Sequence, residues 1–149
     1  MSGYPYANLF PRAYGDLLSL VVPHAQSLLE QPDGFLPFAA AGRAAGGVEL
    51  VQVEPGADDA EDVAWRLLQQ LGRRVDAGEL VSAAQCGFLP EREMVWGDGA
   101  GITVLLEARG LPPMMCMLSC RHAGGAWTVE LRPMLLPGNE TLFAAVARG

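Results

Sequence analysis

The stretch from Pro113 to Met134 constrains the fold more than any other part of the chain. Two arms of alternating residues flank Gly124-Gly125, and a glycine pair accepts the positive φ angles that two-residue hairpin turns require. We therefore predict an antiparallel β-hairpin whose register follows from its turn. The predicted inner-face pairs are His122/Trp127, Cys120/Val129, Leu118/Leu131 and Cys116/Pro133, and the outer-face pairs are Arg121/Thr128, Ser119/Glu130 and Met117/Arg132.

The composition limits the class of protein. The chain of 149 residues has 17 acidic and 10 basic residues, a formal net charge of −7, and no lysine. A chain of this length forms one domain with a substantial core. Nucleic acids and anionic membrane surfaces need clustered positive charge, and the apolar Leu17–Val22 patch is much shorter than the roughly 20 residues of a membrane span. We expect a cytoplasmic protein that binds neither nucleic acid nor membrane.

Hydrophobic periodicity and turn residues predict the other elements. An irregular arm over residues 1–12 precedes a single domain over residues 13–149. The domain is predicted to contain a helix from Tyr14 to Glu30, strands Phe35–Ala41 and Val48–Val53, a helix from Asp58 or Asp59 that Gly78 ends, strands Leu80–Cys86, Met94–Trp96 and Gly101–Ala108, the hairpin, and a helix from Asn139 to Ala147. Without the short Met94–Trp96 segment the order is α-β-β-α-β-β-β-β-α. This order predicts an α+β fold, an antiparallel β-sheet of five to six strands with helices packed on one face.

Three of these elements carry specific expectations. Val48–Val53 is apolar on both faces, which predicts a central strand covered on two sides or a strand with one face held by a partner. His24 lies on the apolar stripe of the first helix, where a buried neutral ring bonded to a backbone carbonyl is expected. Trp65 lies at the flank of the second helix's stripe, so it either tucks under a loop or meets another chain. That stripe comprises Ala60, Val63, Ala64, Leu67, Leu68, Leu71 and Val75.

Motifs for catalysis are scarce. Without lysine the chain has no Schiff-base or P-loop residue, and none of its five serines stands in a Gly-x-Ser-x-Gly elbow. Cys116, Cys120 and His122 share the inner face of the hairpin, and such side chains are ligands for zinc or copper(I). Cys116 and Cys120 would nevertheless lie about 13 Å apart along the strand, too far for a disulfide. Core filling is the favoured interpretation, and we expect no metal and no cofactor.

One alternative keeps a chemical role for the hairpin. Cys120 and His122 lie two residues apart on one face, and a thiolate–imidazole pair becomes reactive when a third group such as Glu107 orients it. The rival hypothesis is therefore a small enzyme or ligand-binding protein with a pocket of His122, Cys120, Trp127 and Glu107 beside the 113–134 hairpin. It requires these side chains to converge in a concave site.

Aromatic residues outside the predicted core indicate where a partner would bind. Tyr4, Tyr6 and Phe10 lie in the arm, which either covers its own domain or docks on a second subunit. Together with Trp65 they are the candidate interface residues.

The segment Phe35-Leu36-Pro37-Phe38-Ala39-Ala40 resembles one found in small acidic bacterial proteins of unassigned function. The resemblance includes the preceding helix, the strand at Val48–Val53, the amphipathic helix and the closing meander, and it covers most of the chain. It implies a bacterial origin and brings no functional residue with it. The element order is also similar to that of roadblock-type modules and acidic secretion chaperones, which dimerise and bind other proteins. This likeness is one of topology, which does not determine function.

The expected function is that of a non-enzymatic protein-binding or adaptor module. The scarcity of catalytic motifs disfavours an enzyme, and the resemblance in topology favours a protein partner. We expect a homodimer that self-associates through its sheet, a helix or the arm.

Overall fold

The computed structural model describes residues 10–29, 37–53, 60–89, 100–123, 126–137 and 142. These residues form an α+β fold, as predicted, with two helices and six strands. In chain order the elements are α1 (Arg12–Leu29), β1 (Phe38–Arg43), β2 (Val48–Val51), α2 (Ala60–Asp76), β3 (Leu80–Leu89), β4 (Ala100–Ala108), β5 (Leu111–Ala123) and β6 (Ala126–Pro137). The predicted Met94–Trp96 strand lies outside the described residues, as does the predicted closing helix except for Leu142.

The six strands form one antiparallel sheet in the order β2-β1-β3-β4-β5-β6. β3 to β6 follow one another in sequence and in space as a meander. β2 and β3 each pair antiparallel with β1, so they run parallel to each other, and α2 connects them. Such a crossover helix must pass over one face of the sheet.

The two helices pack on opposite faces of the sheet, so the prediction that they share one face is wrong. The α1-side core joins Tyr14, Leu17, Leu18, Val21 and Ala25 of α1 to Phe38, Ala40, Ala84, Cys86, Ile102, Val104, Leu106, Ala108, Cys116, Leu118 and Cys120 of the sheet. The α2-side core comprises Ala39, Ala41, Val51, Leu67, Leu71, Val75, Leu80, Ala83 and Leu142. Successive residues of β1 alternate between the two cores because strand side chains point to alternate faces.

β1 is the strand covered on both sides. All of Phe38–Gly42 is buried, and the three alanines at its centre leave room for a helix on each face. At Gly42 a β-carbon would overlap the Ser82 hydroxyl of the neighbouring β3. A side chain at position 42 would therefore require the Ser82 hydroxyl to turn away.

β2, which the sequence predicted to be central or partner-held, is an edge strand. Its pairing with β1 directs Val48 and Leu50 to the α1 side and Glu49 and Val51 to the α2 side. Val51 is buried in the α2-side core, whereas Leu50 is 38% exposed. Each face of β2 thus has a valine that packs against the core on that side, yet one backbone edge has no strand beside it in the described sheet.

α2 buries Val63, Leu67, Leu71 and Val75, which belong to the predicted stripe. The stripe is narrower than predicted, since Ala64 is exposed. The helix ends in a Schellman motif, in which the Glu79 N–H donates to the Arg74 carbonyl and the Gly78 N–H donates to the Val75 carbonyl. Gly78 adopts the left-handed conformation with φ +77°, which explains why glycine ends the helix there.

The hairpin of β5 and β6 confirms six of the seven predicted cross-strand pairs. The pair Cys116/Pro133 is wrong, because the register shifts between Met117, opposite Arg132, and Met115, opposite Leu136. Three residues of β6 therefore stand where β5 has one. Pro133 has no N–H to donate to the ladder, and proline in a strand commonly coincides with a bulge.

α1 packs its apolar face on the sheet. The Tyr14 hydroxyl donates a 2.6 Å hydrogen bond to the Pro112 carbonyl oxygen near the start of β5, which connects the helix to the meander. Neither helix of the described chain combines the length and the hydropathy needed to cross a membrane.

Candidate functional site

The three cysteines lie in the α1-side core and carry free, buried thiols. Burial raises the pKa of Cys116 to about 12 and that of Cys120 to about 11. Burial, reinforced by the charge of Cys116, also raises the pKa of Cys86. Because the thiolate is the nucleophile and the metal ligand, this environment disfavours both roles. No three His, Cys, Asp or Glu side chains among the described residues are arranged to hold a metal ion.

We expect these thiols to react slowly with an aromatic disulfide reagent in the native protein. Raising the pKa of Cys120 from 9.0 to about 11 lowers its thiolate fraction about 100-fold near neutral pH. All three thiols should then react once urea unfolds the chain. Rapid labelling of Cys120 in the folded protein would instead support the rival hypothesis of a reactive cysteine.

Cys120 and Glu107 do not converge, which contradicts the predicted pocket. Cys120 belongs to the α1-side core. Glu107 pairs with Ala83 of the α2-side core, and directly opposed residues point to the same face. The sheet therefore separates the thiol from the carboxyl group.

Glu107 holds together three parts of the α2 side. It is only 1% exposed, and its Oε2 accepts a 3.2 Å hydrogen bond from the Gln85 side-chain amide of β3. Its Oε1 accepts a 3.1 Å hydrogen bond from the backbone N–H of Leu142. Leu142 is itself buried in the α2-side core, so Glu107 anchors Leu142 to the sheet. The sequence alone indicates neither partner.

His122 and Trp127 are cross-strand partners, as predicted. Their side chains fall outside the part of the molecule that the structure describes. Of the predicted pocket around His122 and Trp127, the structure therefore describes only the backbone pairing of these two residues.

His24 is half-buried and bonded to a side chain rather than to the predicted backbone carbonyl. The Gln52 amide donates a 3.1 Å hydrogen bond to its Nε2, which requires a neutral ring with the proton on Nδ1. The edge of the ring meets Phe38, with centroids 4.7 Å apart and planes inclined by 74°. Burial lowers the pKa of His24, so the neutral form is favoured.

Two recesses lie between described residues. One of about 280 Å³ is on the α2 side, bounded by Ala64 and Leu67 of α2, Leu105 of β4 and Met115 of β5. Another of about 260 Å³ lies between Asp16 of α1 and the β1–β2 turn. Both are smaller than the ~300–1,000 Å³ of typical ligand pockets. Neither is lined by a residue of the predicted site.

The predicted interface residues have different environments. Trp65 is 60% exposed on α2, so it does not tuck under a loop. Phe10 is 5% exposed and packs in the α1-side core, which fits the alternative that the arm covers its own domain rather than the one in which Phe10 docks on a second subunit. Tyr4 and Tyr6 are outside the described residues.

No family model, curated protein or solved structure matches this chain.

Proposed function

We propose that this chain is a non-enzymatic protein-binding module of the cytoplasm, an adaptor that self-associates and also holds a second protein. The observation that carries the proposal is the 60% exposure of Trp65. An indole is costly to leave in water, since aromatic side chains bury about 150–250 Å² each when they are covered. Tryptophan is also among the residues most enriched at the energetic centres of interfaces.

The surroundings of Trp65 fit such a role. Asp62 and Arg66 are exposed beside it on α2, and Gln69 is exposed one turn later. A large apolar side chain within a polar surround is the usual arrangement of an interface anchor and its rim. The partner that fits this surface is a protein with an apolar pocket for the indole.

The rival enzyme or ligand-binding hypothesis has less support. Cys120 and Glu107 lie in closed packing on opposite faces of the sheet. Of the two recesses between described residues, the one that Met115 of β5 borders has a volume of about 280 Å³, below the usual size of a ligand pocket.

The test is partner capture followed by measurement of affinity. The tagged protein is incubated with lysate of its native cells, and captured proteins are identified by mass spectrometry and purified. Trp65→Ala should raise the dissociation constant of the complex with the true partner about 30-fold, as expected for an interface residue that contributes about 2 kcal/mol. Ser27→Ala on the exposed side of α1 is the control and should leave the affinity unchanged. A partner that binds the Trp65→Ala variant with unchanged affinity would contradict the proposed surface.

A further inference from the structure

The two edges of the sheet differ in their protection against pairing with another strand. β6 contains Pro133 and Pro137 and bulges against β5. Proline and bulges both hinder the addition of a strand to an edge. At the other edge, Val48–Val51 of β2 contains no proline and pairs with β1 in one continuous register. β2 is therefore the less protected edge.

The charge on β2 does not protect it either. Glu49 is its only charged residue, and the Glu49 carboxylate lies 2.7 Å from Arg74 and 3.3 Å from Arg43. The hydrogen bonds from Arg74 and, to a smaller extent, Arg43 lower the pKa of Glu49, because they favour its charged form. Its charge is thus countered within the chain, whereas the neighbouring Leu50 remains 38% exposed.

We propose that β2 pairs antiparallel with β2 of a second copy of this chain, so that two six-stranded sheets join into one. This inference rests on the self-association part of the proposed function and identifies its surface. The second copy is the occupant because a Val-Glu-Leu-Val strand can pair antiparallel with itself without opposing its single charge.

Charge and symmetry select that register. An antiparallel pair of identical strands is related by a two-fold axis perpendicular to the sheet, and directly opposed residues share a face. The axis must then lie midway between the two copies of one residue, and only an axis at Glu49 or Leu50 pairs three of the four β2 residues with β2 of the second copy. An axis at Glu49 would oppose two glutamates, which destabilises a strand pair. An axis at Leu50 opposes the two exposed leucines and places each Glu49 opposite Val51 of the second copy.

Cysteine cross-linking tests the register. Residues opposed across an antiparallel pair have Cα atoms about 4.5–5.5 Å apart, within the range of a disulfide. Leu50→Cys should therefore form a covalent dimer under mild oxidation, whereas the wild-type chain, with its buried thiols, should not. Glu49→Cys is the matched control and should remain uncross-linked. Cross-linking of Glu49→Cys without that of Leu50→Cys would overturn the proposal.

Sedimentation equilibrium tests the dimer without any cross-link. Across the micromolar range the wild-type protein should approach twice the 15.8 kDa chain mass. Leu50→Asp should raise the dimer dissociation constant at least about tenfold, since it opposes two carboxylates at the axis. Val81→Asp is the control, because Val81 has the same 38% exposure as Leu50 but lies on the interior strand β3.

The outcomes separate this inference from the proposed function. A protein that is monomeric throughout the range, or a dimer that Leu50→Asp does not weaken, would overturn β2 pairing. A dimer weakened by Trp65→Ala instead would place self-association on α2 and would also overturn it. A loss of partner capture in Trp65→Ala with an intact dimer would support both proposals. Partner capture that survives this substitution would count against the Trp65 surface alone.

Discussion

Phe38→Ala should lower the free energy of unfolding by about 3–5 kcal/mol, the range for removing a buried phenylalanine. The Phe38 side chain is fully buried in the α1-side core at the start of β1, and its ring contacts His24. Small neighbours such as Ala40 and Ala84 cannot extend into the resulting cavity. Because domains are stable by only about 5–15 kcal/mol, this variant should be marginally folded. Urea denaturation followed by circular dichroism measures the change.

Phe38→Leu is the matched control, because it keeps most of the apolar volume and should lower the free energy of unfolding much less.

Substitution of Phe38 also tests the environment of His24, whose pKa burial holds below the ordinary 6.5. Between the folded and unfolded pKa values the unfolded chain binds more protons, so stability falls as the pH decreases below 6.5. Opening the Phe38 site should raise the folded pKa of His24, seen by NMR titration, and reduce this slope. A loss in Phe38→Ala no larger than that in Phe38→Leu would contradict the packing described here.

Glu107→Ala should lower the free energy of unfolding by about 2–4 kcal/mol. The substitution removes the acceptor of the backbone N–H of Leu142 in the α2-side core, and it also removes the hydrogen bond from the half-buried side-chain amide of Gln85. A buried donor left unpaired costs about 1–3 kcal/mol. Hydrogen exchange should locate the effect, because the Leu142 amide would lose protection before the central strands do.

Glu107→Gln distinguishes the loss of the hydrogen bonds from the loss of side-chain volume. It retains an oxygen that accepts from Leu142 and has nearly the same volume, so it should cost less than half as much as Glu107→Ala. Gln85→Ala, which removes the 3.2 Å hydrogen bond to Glu107, should cost about 1 kcal/mol. Unchanged exchange of the Leu142 amide in Glu107→Ala would show that Glu107 does not anchor Leu142.

The hairpin was predictable almost residue by residue, because its register depends only on local turn chemistry and on alternation along two adjacent strands. Six of the seven pairs formed as expected. The exception at Pro133 follows from the same local chemistry, since proline interrupts a ladder. The C-terminal end of α2 at Gly78 was predictable because it also depends on a local motif, the Schellman hydrogen bonds.

The candidate site was less predictable. Because side chains alternate along β4, the Glu107 side chain points to the face opposite that of Leu106 and Ala108. This alternation was visible in the sequence. The β4–β5 turn at Arg109-Gly110 pairs Ala108 with Leu111, but the register then shifts by one residue between Leu106 and Ala108, so that Cys120 lies opposite Ala100 on the face away from Glu107. The predicted convergence of Glu107 with Cys120 failed at this step.

By itself, the sequence determined the α+β class, the approximate extents of the helices and the hairpin register, because hydrophobic period and turn residues act over a few neighbouring positions. The tertiary structure alone decided that α1 and α2 cover opposite faces, that β1 rather than β2 is buried on both sides, and that Leu50 lies on an edge strand of the described sheet. Consecutive apolar residues such as Phe38–Ala41 are compatible with either face. Their environment depends on which distant segments fold against them.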